Sequence, residues 1–171
     1  MRPAMERHDA AARRVMSGQY FLYFGVLGMF LPYFNLYCFH LGFSGVEIGI
    51  LSALRSLLMI IFPVAWGMVA GRWQARRPIY ILCNFISVAI WSLYIVRDDF
   101  RSMFWITLFY GVFFSPIISF MEAFTMDLLG GEKKRYGRVR AWGTSAFIAV
   151  VVLLGKLIDA ASVDIILLLI L

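Results

Sequence analysis

The chain has 171 residues, 62% of them hydrophobic, and a formal net charge of +6. Its mean hydropathy is +0.82 and its pI about 9.6. Such composition excludes an ordinary soluble domain, and the basic residues collect in short segments between apolar runs. There they act as topology signals, which argues against a nucleic-acid partner.

Five apolar stretches of roughly 19 to 28 residues follow one another, each long enough to cross a hydrocarbon core of about 30 Å. The polar segment Met1–Gly18 carries four arginines and reads as a tail. A secretory signal would follow such a tail with a short apolar run and a small-residue cleavage site. Here the run is full-length, so it reads as a retained first span over Gln19–Leu41. The pattern predicts further spans over Val46–Ala70, Pro78–Val96, Ser102–Leu129 and Val139–Ile158. A new apolar run, Ile165–Leu171, then opens and is too short to cross a bilayer as a helix. The expected fold is therefore an all-helical membrane bundle over residues 19–171, cut within a sixth span, as the N-terminal piece of a longer protein.

Orientation follows from the basic residues of the short connections. Arg2, Arg7, Arg13 and Arg14 precede the first span; Arg72, Arg76 and Arg77 follow the second; Lys133, Lys134, Arg135 and Arg138 follow the fourth. The opposite side carries Arg97, Arg101 and Lys156. This bias predicts a cytoplasmic N-terminus.

Two basic residues remain, Arg55 and Arg140, and both fall inside spans together with Glu122. A charge at bilayer depth costs about 2.5–3.5 kcal/mol or more, so it marks a pathway, a pair or a proton site. Arg55 stands nine residues past the start of the second span and is expected to face a polar cavity or a carboxylate, with a snorkelling arginine as the alternative. Glu122 and Arg140 lie toward the cytoplasmic ends of their spans, where a solvated carboxylate and a snorkelling guanidinium are the plainer readings. Asn35 follows Pro32 by about one turn and needs a partner, either a substrate or another helix.

Pro32, Pro63 and Pro116 interrupt the first, second and fourth spans, where freed backbone groups can line a cavity. Gly25 with Gly28, and Gly45, Gly49 and Ala53, present small faces suited to close helix packing. Cys38 and Cys83 read as packing residues. His8 and His40 are isolated, without ligand spacing, and no metal or other cofactor is expected.

Gly67-Met-Val-Ala-Gly71-Arg72-Trp-Gln74-Ala-Arg76-Arg77 resembles a loop signature of the major facilitator superfamily, Gly-x-x-x-Asp-Arg/Lys-x-Gly-x-Arg/Lys-Arg/Lys. Gly67, Arg72, Arg76 and Arg77 match. Gly71 replaces the signature's aspartate and Gln74 its second glycine. The run Tyr136-Gly-Arg138-Val-Arg140-Ala-Trp142-Gly143, preceded by Ser115-Pro116 and Glu122, is similar to the phenylpropionic acid and lactose permease branch, with nucleoside:proton symporters as cousins. Phe30-Leu-Pro32 and Leu41-Gly-Phe-Ser44 fit the same branch.

The resemblance covers nearly the whole chain from Gln19. It implies the first half of a twelve-helix, non-enzymatic secondary transporter in a bacterial inner membrane, moving a small organic solute (aromatic acid, sugar or nucleoside) with protons. It implies that Glu122 and Arg140 form the pair that binds substrate, that Gly67, Arg72, Arg76 and Arg77 form a gating loop, and that a C-terminal half completes the cavity. The missing loop aspartate leaves a non-transporting scaffold, a sensor or an inactive truncated product as the alternative.

Overall fold

The computed structural model describes residues 2–130 and 133–160, so the expected sixth span lies outside the described residues. Five helices carry the fold: α1 (Arg2–His40), α2 (Gly45–Trp73), α3 (Arg76–Trp91), α4 (Phe100–Leu129) and α5 (Lys133–Ala160), with a 3₁₀ segment, Ser92–Ile95, extending α3. Among the described residues α1, α2, α4, α5 and α3 together with its 3₁₀ extension are each long and apolar enough to cross a membrane, and α4 is the most enclosed of them. The protein is an integral membrane helix bundle. The polar tail differs from expectation, because it continues α1 back to Arg2. Alanine, methionine, glutamate and arginine dominate residues 4–16, all strong helix formers, and Pro3 sits in the first turn where it costs no hydrogen bond.

The helix ends are built by local chemistry. At the end of α1, Gly42 adopts φ +84°. Its N–H bonds the Phe39 carbonyl at 3.0 Å and the Phe43 N–H bonds that of Cys38 at 3.1 Å. Together these form a Schellman motif. Ser44 then opens α2 with a capping box: its N–H donates to Glu47 Oε2 at 2.8 Å and its Oγ accepts from the Glu47 N–H at 3.3 Å. Asp99 opens α4 by accepting the Ser102 N–H at 2.9 Å, and this bond holds its carboxyl below the usual carboxylate range.

The chain forms two compact units, one built from the chain up to Pro32 and from Met121 along α5, the other from Tyr33 to Phe120. In the first, Tyr20, Phe30, Met121, Thr125 and Ala146 are fully buried or nearly so. There α1 and α5 come close enough that a Cβ on Gly28 would lie 3.1 Å from the Phe147 carbonyl oxygen, and one on Gly143 2.6 Å from the Phe24 ring. Small residues permit this approach, the main source of helix association in lipid. The expected small face on α2 behaves differently: Gly45 and Gly49 have nothing within 4 Å and Ala53 is exposed.

In the second unit an aromatic cluster of Phe34, Trp91, Tyr94 and Tyr110 forms the core, with ring centroids 5.0–6.3 Å apart. Tyr94 is fully buried, and its hydroxyl lies 2.7 Å from Thr107 Oγ1. Thr107 spends its only hydroxyl proton on the Met103 carbonyl at 2.7 Å, so Tyr94 is the donor between them. Pro116 cannot donate to the carbonyl of Val112, four residues earlier. The indole N–H of Trp66 on α2 takes that oxygen instead, at 2.9 Å.

Candidate functional site

Glu122 lies seven residues before the end of α4 and Arg140 seven residues after the start of α5, each about 10 Å from its helix end. The two levels meet, as the contacts between the side chains show. Arg140 Nη1 donates to Glu122 Oε1 and also, at 2.7 Å, to the Tyr136 hydroxyl. That hydroxyl donates in turn to Glu122 Oε1 at 3.2 Å. Tyr136 stands one helical turn before Arg140, on the same face of α5, and the guanidinium also lies 5.9 Å from its ring centre. The result is a closed triangle of acid, base and phenol.

The pair is neither sealed nor fully solvated, since 35% of the Glu122 side chain and 45% of the Arg140 side chain remain exposed. Such a pair is reachable by a solute. It offers carboxylate oxygens as acceptors and a planar fork as donor, which suits hydroxyls from both sides or a carboxylate from the guanidinium alone. Beside α5, Tyr20 and Phe24 of α1 stack at 6.2 Å, with Phe24 against Gly143 and Tyr20 fully buried.

The other two intramembrane residues also meet, in the second unit. Asn35 Oδ1 accepts from Arg55 Nη2 at 3.4 Å and from Ser52 Oγ at 3.3 Å. The Arg55 guanidinium lies 5.6 Å from the centre of the Phe34 ring. An amide from the preceding helix and an aromatic face thus receive the charge, so Asn35 is used at least in part between helices. The sequence reading treated these two residues separately.

The loop-signature residues gather at the α2–α3 junction. Gly67 lies within α2, Arg72 in its last turn, and Arg76 and Arg77 in the first turn of α3. Gln74, where the signature has glycine, is in the left-handed region at φ 51°, ψ 29°. That conformation is strained for a residue with a Cβ by about 1–2 kcal/mol. Gln74→Gly is therefore expected to stabilise the protein by about 1 kcal/mol, after allowing for glycine's freer unfolded chain. Thermal unfolding in micelles would read this as a higher midpoint; an unchanged or lower midpoint would show the strain is relieved elsewhere. Gly71 has open space around it, so its missing carboxylate is not a packing requirement.

Sequence reasoning passed over Tyr136 as a partner, although its spacing four residues before Arg140 was a usable signal. It also passed over Trp66, whose partner follows from counting back four residues from Pro116.

Comparison with known proteins agrees with this architecture. The chain is 27% identical over 155 residues to the uncharacterized transporter YwbF of Bacillus subtilis, covering 89% of this chain and 37% of that protein. It is also 27% identical over 146 residues to the probable 3-phenylpropionic acid transporter of Escherichia coli, covering 81% of this chain and 37% of the relative. A crystal structure of a mutant of the nucleoside transporter NupG superposes with a TM-score of 0.76 at 23% identity, over 92% of this chain and 43% of that one. The chain thus spans less than half the length of these relatives. The family model described as the MFS_1 like family matches residues 14–171, and the chain belongs to that family, within the major facilitator superfamily.

Proposed function

We propose that the chain is the N-terminal half of a secondary transporter that moves a small organic solute with protons across a bacterial inner membrane, its N-terminus in the cytoplasm. Glu122 and Arg140 bind the solute, with Arg140 the anchor and Tyr136 holding both in register. The observation that carries this reading is the charged triangle itself, half-open and about 10 Å inside the helix ends. Support for a solute such as an aromatic acid, sugar or nucleoside comes from the relatives, which are described as a probable 3-phenylpropionic acid transporter, a sucrose permease and a xanthosine permease. Asn35 and Arg55 form a second polar site, with Arg55 a substrate or proton contact. Gly67, Arg72, Arg76 and Arg77 serve the gate. A C-terminal half encloses the cavity from the other side and lets the two bundles rock about a central site. The chain has no catalytic role in this account.

The test is uptake by cells expressing the gene, using labelled 3-phenylpropionate, a disaccharide and a purine nucleoside, each with and without a protonophore. Saturable uptake of one class, lost with the protonophore, is the expected result. Residues 1–171 alone are expected to give none, because half of the cavity is absent. No uptake of any class by the complete gene product would favour a non-transporting role, the reading to which the missing aspartate at Gly71 also points.

A further inference from the structure

The spans of α1 and α5 begin at Ala12 and Arg135. Deeper along both helices they touch, at Gly28 with Phe147 and at Phe24 with Gly143. Nearer their starts they part around a cleft of about 910 Å³, within the roughly 300–1,000 Å³ typical of small-molecule sites. Its lining has two zones. Arg13, Arg14, Arg135 and Arg138 stand at the level where the spans begin. Phe21, Leu22 and Trp142 lie one to two turns further in, about 6–13 Å along the helices. All three are exposed, so the cleft carries uncovered apolar surface beneath four guanidinium groups.

We propose that this cleft binds one anionic phospholipid, its phosphodiester headgroup held by the four arginines and its acyl chains laid over Phe21, Leu22 and Trp142. The zoning decides the chemistry. Guanidinium forks pair bidentately with phosphate oxygens, and basic pockets between membrane helices at the interface are where lipid headgroups are recognised. A small soluble anion would satisfy the arginines but leave the apolar zone uncovered. A zwitterionic lipid would cover the apolar zone but bring a cationic group against four guanidiniums, a repulsion that selects against it. The Ser17 hydroxyl, on the same face of α1, adds a donor. This site is distinct from the Glu122–Arg140 pair and does not depend on which solute is carried.

The test places the intact protein in phosphatidylcholine vesicles doped with either dibrominated phosphatidylglycerol or dibrominated phosphatidylcholine, and follows tryptophan quenching. Phosphatidylglycerol is expected to quench more at equal bromine, and the excess should vanish in Trp142→Phe. Arg14→Gln with Arg138→Gln should raise the phosphatidylglycerol needed for half of the excess by about 30-fold, at about 1 kcal/mol per basic residue. Lysine at both positions should keep most of the effect, which guards against a glutamine variant that misfolds. Arg97→Gln with Arg101→Gln, outside the cleft, should change nothing. Equal quenching by the two lipids would overturn the proposal. So would loss of the excess on adding millimolar inorganic phosphate, which would make the cleft a soluble-anion site.

Discussion

Uptake by Glu122→Gln and by Arg140→Lys is expected to fall by roughly 10- to 150-fold, with membrane expression unchanged. Hydrogen bonds to charged groups contribute about 1.5–3 kcal/mol each, and that range converts to this loss when one solute contact disappears. The stability cost is smaller than the roughly 3–5 kcal/mol of breaking a fully buried pair, because both side chains are partly exposed. Lysine keeps the positive charge at position 140 but has no planar fork. It cannot serve Glu122, the Tyr136 hydroxyl and a solute with the same geometry. Tyr136→Phe is the graded companion, since it removes only the hydroxyl bridging acid and base and should cost a few-fold. Uptake at the wild-type rate by Arg140→Lys would reduce the arginine to an interfacial snorkelling group.

Trp66→Phe is expected to destabilise the protein by about 1–3 kcal/mol, the cost of leaving the Val112 carbonyl without its indole donor. Water cannot replace that donor inside lipid. The cause lies in α4, where Pro116 has no N–H to offer, and a double-mutant cycle isolates it. In a Pro116→Ala background the new backbone N–H can return to the Val112 carbonyl, and Trp66→Phe should then cost only the small packing difference between the rings. A coupling energy of about 1–2 kcal/mol, read from unfolding in mixed micelles, is the expected result. Additive effects would mean the Trp66 bond does not compensate for the proline.

Much of the fold was legible because a bilayer makes length and hydropathy decisive. The predicted spans agree with the described helices to within a few residues at most ends, and the exceptions follow local chemistry. The tail joined α1 because nothing between Pro3 and Gln19 breaks a helix strongly. The Glu122–Arg140 encounter was legible through the family resemblance, because position in the spans alone reads equally well as a solvated carboxylate and a snorkelling guanidinium.

Partner identity was the part that was not legible. Glycine spacing shows that a helix can be approached but not which helix does so. Hence Gly28 and Gly143 make close contacts while Gly45 and Gly49 face open space. The meeting of Arg55 with Asn35, and of Trp66 with Val112, depends on rotation about the helix axis. Only packing sets that rotation.

The most direct test of the central claim is equilibrium binding of whichever solute the uptake panel identifies, measured by calorimetry on the purified protein and on Arg140→Lys. The variant is expected to keep its helical circular dichroism but to bind at least about 10-fold more weakly, the loss of one charge-assisted contact. Binding at wild-type affinity by Arg140→Lys would contradict it, and would place the solute away from the Glu122–Arg140 pair.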